Sequence, residues 1–299
     1  MRFRHLVPRV VLLGVISLYG WFVFSSCPTP GAEKCDAHPI PTPPSTGVSC
    51  PVTWVTAYYR SPSKHSFEEY NEWIRNFQAI RMCVVVFTDA LELWHNTPNT
   101  TLVIPSNLCP VSLHHLNLSV VEWQRQLSID PQCRNHIHYR VYWVWTLKAF
   151  FLNATATGNP FHSTTFFWID AGYFRDNRHD NLDILSMQAP SIHGILFLQI
   201  YPFHVSETIL ENGRVKDLIA HDRIAGGLFG GNASAVMAWC NAYQSMLMYY
   251  QEKHWFIGKE QNLLISICLE QPSLCSLIQP DPYLHENPWF SSFEWVTTI

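Results

Sequence analysis

Charge is scarce in this sequence. Asp, Glu, Lys and Arg together make up 14% of 299 residues, while 47% are hydrophobic. A largely disordered chain is excluded, because disordered segments are charge-rich and apolar-poor. Glycine is sparse too, at 13 residues against 20 prolines, and no G-X-Y period exists, so collagen-like structure is out. No repeat of about 20–50 residues recurs, which argues against a solenoid or propeller. C-x-x-C pairs are missing, which argues against structural zinc. So are G-x-S-x-G and H-E-x-x-H, which leaves a luminal hydrolase without its usual motifs.

Basic residues are also short in the body. Arg2, Arg4 and Arg9 are the only charged residues of 1–26, leaving 16 basic against 23 acidic residues beyond, a net −7. Phosphate binding by nucleic-acid partners relies on Lys and Arg, so no nucleic acid is expected as a partner.

Val10–Phe24 (VVLLGVISLYGWFVF) carries no charge and follows three arginines. It reads as a signal anchor over 10–26 or as a cleaved signal peptide. The arginine bias places residues 1–9 in the cytosol and the body in the lumen. The expectation is a single-pass type II protein of the Golgi or ER, or a secreted one if the segment is cleaved. Seven prolines fall between Cys27 and Pro51 with no apolar periodicity, so 27–50 reads as an extended stem and 51–299 as the body. Eight cysteines (Cys35, Cys50, Cys83, Cys109, Cys133, Cys240, Cys268, Cys275) lie beyond the apolar run. An even set suits disulfides in an oxidising compartment. Cys268 and Cys275 are close enough to bridge across a turn. Sequons at Asn99, Asn117, Asn153 and Asn232 suit a glycoprotein.

Within the body, Val52–Tyr59 is β-branched and aromatic and reads as a buried strand. Ser66 reads as an N-cap, with Glu68 and Glu69 in the first turn of a helix through Trp73, Ile74 and Phe77. Met82–Thr88 is a second apolar strand. Unalternating strand, helix, strand marks a parallel sheet covered on both faces. Further strands are expected at 101–104, 164–169, 192–200 and 275–278, and helices at 120–127, 139–153, 232–253 and 258–270. The fold class is α/β, one Rossmann-like domain with a mostly parallel sheet.

Ligands bind at the carboxyl ends of such strands. Asp89 follows VVVFT, and Asp170 follows TTFFWI and opens the phrase WIDAGYFRD. A carboxylate before Ala171 and Gly172 suits a hard cation such as Mn²⁺ or Mg²⁺ on a diphosphate. An Asp before small residues also simply caps turns. Residues 224–239 (IAGGLFGGNASAVMAW) read as a Gly-rich loop entering a helix capped by Asn232 or Ser234. FIGKEQNLL then places Glu260 and Gln261 at a helix start.

WIDAGYFR, AGGLFGG and GKEQ, with VVFTD and YWVWTLK upstream, resemble the HtrL/YibB family of glycosyltransferases. The resemblance runs over residues 50–283, and the broader pattern is similar to GT-A nucleotide-sugar transferases. It implies a nucleotide-sugar donor, a glycan or glycoprotein acceptor and Mn²⁺ or Mg²⁺. It implies Asp170 and Glu260 as catalytic groups, with Tyr58, Tyr59, Asp89, Lys148, Gly172 and Arg175 on the donor. Gly226, Gly227, Gly230, Gly231, Asn232 and Gln261 would form the acceptor side, and His285 a late metal ligand beside Asp170. Two departures stand out. Asp170-Ala171-Gly172 holds only the first acid of the Asp-x-Asp turn, and Glu260 stands where the family more often has Asp. The missing acid also suits a rival reading, a non-catalytic carbohydrate-binding or adhesion ectodomain on the same fold.

The topology is tested directly. Endoglycosidase treatment of the expressed protein should lower its apparent mass, and intact microsomes should shield the body from protease. An unshifted, protease-sensitive body would place it in the cytosol.

Overall fold

The computed structural model describes residues 40–108, 118–136, 138–218, 222–283 and 285–298. The expected cytosolic tail, the anchor and the stem as far as residue 39 lie outside the described residues, as does Asn117. Among the described residues no helix is long and apolar enough to cross a membrane. Residues 40–50, expected as the end of a free stem, instead lie against the body. The Thr46 amide donates to Pro160 O at 2.9 Å and the Cys50 amide to Phe161 O at 2.9 Å.

Seven strands form one sheet: β1 (Val52–Tyr58), β2 (Val84–Thr88), β3 (Thr101–Pro105), β4 (Thr165–Ile169), β5 (Ile195–Gln199), β6 (Ile224–Asn232) and β7 (Cys275–Ile278). Their order is β3-β2-β1-β4-β6-β5-β7. All neighbours run parallel except β6, which is antiparallel to both β4 and β5. This is the mixed α/β, mostly parallel domain that the unalternating apolar runs imply. Every residue of β1, β2, β4 and β5 is buried, as a sheet covered on both faces requires.

Among the described residues six helices flank the sheet: α1 (Phe67–Gln78), α2 (Val120–Ile129), α3 (Arg140–Gly158), α4 (Ala233–Glu252), α5 (Glu260–Glu270) and α6 (Ser291–Thr298). Ser66 caps α1 through a reciprocal box: its hydroxyl accepts from the Glu69 amide, and the Glu69 carboxylate accepts from the Ser66 amide. Trp73, Ile74 and Phe77 are its buried face, each contributing about 1.5–3 kcal/mol by leaving water. The α3 helix runs one turn beyond the expected Asn153 and stops at Asn159, whose φ of 41° is left-handed. Two cores result. One lies under α3, α4 and α5 and takes Val55 and Ala57 from β1 and Tyr59 just beyond it. The other lies under α1 and α6 and takes Trp54 and Tyr58 from the same strand. Adjacent strand residues thus serve opposite faces.

Two expectations change. The segment read as a Gly-rich loop is strand β6, in the interior of the sheet. Its glycines permit close approach of the neighbouring strand β4 and of the layer that carries Glu260. A Cβ on Gly230 would lie 2.1 Å from Phe166 O, and one on Gly226 would lie 2.3 Å from the Glu260 carboxylate. Sequence reading leaves out helix α6, which follows a short helical turn opened by Pro288 and spans only eight residues.

Cysteine usage fits an oxidising compartment. Cys50 joins Cys83 and Cys268 joins Cys275, with Cα separations of 6.4 and 5.6 Å. Cys133 is also disulfide-bonded. The even count of eight does not carry through: Cys240 is a free, buried thiol, pushed up to about 12 by burial. Chain-entropy arithmetic assigns the 33-residue Cys50–Cys83 loop about 3–4 kcal/mol of stability.

Because β6 runs against β4, Asn232 ends at the sheet edge where β4 begins, opposite Thr165. It caps α4 there, its amide oxygen accepting from the Ala235 amide at 2.9 Å. Asn232→Ala should therefore lower stability by about 1 kcal/mol in chemical denaturation and leave ligand binding unchanged. Lost ligand affinity at unchanged stability would return Asn232 to the site.

Candidate functional site

The order of the sheet selects the site. From β1 the chain moves outward to β2 and β3, then returns to β4 on the other side of β1. The strand order reverses between β1 and β4, and a crevice opens outside their carboxyl ends. A cavity of about 520 Å³ occupies this crevice. Tyr58 and Tyr59 at the end of β1, Asp170 at the end of β4, and Gly226 and Gly227 at the start of β6 line it.

Its floor is an ionic cluster. Lys148 projects from α3, and its side chain is 3% exposed. Its ammonium lies 2.9 Å from Asp170 Oδ1 and 2.7 Å from Glu260 Oε1, and it donates to Gly226 O at 3.0 Å. Burial alone would push the Lys148 ammonium down; the two carboxylates outweigh it and hold it above its ordinary range. Asp170 Oδ1 also accepts from Trp168 Nε1 at 2.7 Å. The Asp170 side chain stays 38% exposed, so it faces the cavity, whereas that of Glu260 is 6% exposed.

The turn that carries Asp170 is held at several points. Its amide donates to Gly227 O at 2.8 Å, and the Tyr173 amide closes the turn on Asp170 O at 2.9 Å. The Tyr173 hydroxyl donates to Phe290 O at 2.7 Å and accepts from the Phe293 amide, tying the turn to α6. A Cβ on Gly172 would meet Trp73 at 2.8 Å, so no larger residue fits there without displacing that ring.

The two walls differ in chemistry. On the α1 and α6 side, Arg175 stacks on Trp73 at 3.9 Å from the ring centroid and donates through Nε to Gly172 O at 2.9 Å. Burial pushes its guanidinium down, and among the described residues no acid pairs with it. Tyr58 and Tyr70 stand beside it, the Tyr58 phenol pushed up to about 12 chiefly by burial. The α3 side carries His136, Val141, Val144 and Trp145, with Lys259 paired to Asp222 at the rim.

Of the residues expected at the site, Tyr58, Tyr59, Lys148, Asp170, Gly172, Arg175, Gly226, Gly227, Glu260 and Gln261 line this one cavity. Five others lie elsewhere: Asp89, Gly230, Gly231, Asn232 and His285. Asp89 is exposed outside the cavity, where its carboxylate accepts from the Arg60 amide at 3.1 Å. Gly230, Gly231 and Asn232 sit toward the far end of β6, because the antiparallel strand carries them away from Asp170. The Gln261 amide is spent on Ile224 O at 2.6 Å and so braces β6. Sequence reading missed His136, Trp145, Lys259 and Asp222: Trp145 and Lys259 sit inside the quoted YWVWTLK and GKEQ segments without being singled out, and His136 and Asp222 sit in no motif.

The residues present do not make up a cage for a divalent cation. Asp170 is engaged by Lys148 and Trp168, Gly172 offers no ligand, and His285 lines a different cavity with Arg178 and Glu286. The His285 Nδ1 atom there accepts from the Asn287 amide at 3.0 Å. Among the described residues no three His, Cys, Asp or Glu side chains are grouped to hold a metal.

No protein-family model matches the sequence, and no curated protein matches it either. Among solved structures the chain is similar to the apo form of mouse Xyloside xylosyltransferase 1. The identity is 10% and the TM-score 0.37, over 76% of this chain and 84% of that one. A likeness at that level carries no argument about the chemistry of this chain.

The ionic floor predicts its own test. Lys148→Met would leave the Glu260 carboxylate buried without its partner, at a cost of about 3–5 kcal/mol. Adding Glu260→Gln to that variant should recover a substantial part of the loss in chemical denaturation. A Lys148→Met protein as stable as the parent would show the cluster to be dispensable for folding.

Proposed function

We propose that the protein is a glycosyltransferase that moves a sugar from a nucleoside diphosphate sugar to a glycan or glycoprotein acceptor. It does so anchored by its N-terminal segment, with its body in the lumen of the Golgi or ER. One observation carries the reading. At the point of strand-order reversal, a cavity large enough for a nucleotide sugar places an unpaired, ring-stacked guanidinium across from an acid–ammonium–acid floor. The resemblance of WIDAGYFR and GKEQ to the HtrL/YibB family supports it.

The roles follow from the geometry. Arg175 presents a planar fork of donors to the diphosphate, and its stacking on Trp73 holds the fork in place before ligand arrives. Negative charge grows on the diphosphate as the sugar leaves, and a preorganised cation in a half-closed site is worth more there than in water. Tyr58 and Tyr59 offer aromatic faces at the end of β1 for the nucleobase or ribose. Asp170, fixed by Trp168 and the Gly227 carbonyl, accepts hydrogen bonds from the donor's hydroxyls. Glu260 keeps Lys148 charged, and Lys148 keeps Asp170 oriented. None of these roles passes through a metal.

Gly172, in place of a second turn acid, favours a second reading, a carbohydrate-binding ectodomain without turnover. One experiment separates the two. The purified body is given a panel of nucleotide sugars, with and without Mn²⁺, while bound ligand and released nucleotide are both measured. Release from one donor is the expected result, and binding without release selects the ectodomain. Asp170→Asn should then reduce release at least about 100-fold, or about 3 kcal/mol of barrier, in a protein that still folds. Full activity in that variant would remove Asp170 from the site.

A further inference from the structure

A second acid–base group faces the same cavity from the loop before α3. His136 is buried, and its Nδ1 lies 2.6 Å from Asp130 Oδ2. Asp130 is 4% exposed and fully engaged: Oδ2 also accepts from the Tyr142 hydroxyl at 2.5 Å, and Oδ1 from the Gln132 amide at 2.7 Å. Burial alone would raise the Asp130 carboxyl, but these hydrogen bonds outweigh it and hold it below its usual range. A carboxylate only accepts, so the ring proton sits on Nδ1 and the lone pair on Nε2. Among the described residues Nε2 has no hydrogen-bond partner. Trp145 meets the ring edge-on, with centroids 4.9 Å apart and planes at 87°, and Tyr142 meets it at 84°. The imidazole is thus oriented by a carboxylate, clamped by two rings and set in the wall of the cavity.

Its position complements the diphosphate wall. Arg175 stacks on Trp73 of α1, over the core that takes Tyr58. His136 sits beside Tyr142 and Trp145 of α3, on the side of the core that takes Tyr59. The two walls rise from opposite faces of the sheet, with Asp170 between them. Glu260 is poorly placed for the same task, since its carboxylate is buried and bonded to Lys148.

We propose that His136, oriented by Asp130, is the general base of the transfer, which rests on the glycosyltransferase reading above. His136 Nε2 takes the proton of the acceptor hydroxyl. The freed oxygen lone pair forms the new bond to the sugar's anomeric carbon. The bond from that carbon to the diphosphate breaks, and its electron pair leaves with the nucleoside diphosphate on the Arg175 side. Asp130 stabilises the imidazolium that results. Attack and departure on opposite sides invert the anomeric centre. The rim that follows, with Trp145 and the Lys259–Asp222 pair, is then the acceptor side of the cavity.

The test uses the purified body with the donor found in the panel. His136→Ala should bind that donor within about twofold of wild type by calorimetry, yet transfer roughly 100-fold or more slowly, the usual size of a general-base contribution. Added imidazole should restore part of the rate, a rescue that a merely structural histidine would not show. Asp130→Asn should slow transfer in the same direction, and the product should have inverted configuration. Transfer by His136→Ala at the wild-type rate overturns the assignment, as does a retained anomeric centre. Failure of imidazole to restore a variant that melts like wild type overturns it too. Wild-type protein that turns over no nucleotide sugar removes the transferase reading and this base together, whereas wild-type turnover with an unaffected His136→Ala removes the base alone.

Discussion

A single ammonium group holds the working end of this molecule together. Lys148 reaches from α3 and touches the acid at the end of β4, the acid at the start of α5 and a carbonyl of β6. Four elements, α3, β4, α5 and β6, thereby meet on one group at the mouth of the sheet. A buried charge is tolerable only where its partners are well placed, and here each partner is held independently. The Asp170 turn is pinned by Trp168, Gly227 and Tyr173. Glu260 is pressed against Gly226, where any side chain would collide with it. The glycine at the start of β6 and the lysine on α3 therefore belong to one device.

Much of the fold was legible in the amino-acid pattern. Continuous apolar runs marked β1, β2, β4 and β5, and a polar residue followed three places later by Glu69 marked the start of α1. The glycine strand was not legible, because AGGLFGG lacks the β-branched residues that betray a strand. Glycine there answers to the close approach of the neighbouring strand at Phe166 and of α5 at Glu260, which only the packed structure reveals. That misreading carried others with it. Once residues 226–232 were taken for a loop, Gly230, Gly231 and Asn232 followed Gly226 and Gly227 into the site, though strand direction sends them to the far edge.

The cavity itself was legible in part, for a related reason. Residues on strand ends next to apolar runs, such as Tyr58 and Asp170, can be placed by the rule that ligands sit at carboxyl ends. Asp89 satisfies the same rule yet misses, because β2 lies one strand out from the reversal point. Residues brought in by irregular chain, such as His136 and Asp222, leave no periodic trace. Their partners are remote or separated by spacings that no regular element produces. The Asp130–His136 contact spans six positions, and the Lys259–Asp222 contact spans two elements.

Both described cross-links gather at one edge. Cys50 and Cys83 precede β1 and β2, and Cys275 opens β7, which shares the direction of β5. All three positions lie where parallel strands begin, at the end of the sheet away from the cavity. Mechanically, these two cross-links rivet the domain at its base, while the disulfide-bonded Cys133 stands at the rim beside the cavity-lining Gln132. Rim positions away from Cys133 can then change in composition from one related protein to the next without disturbing the covalent frame beneath them.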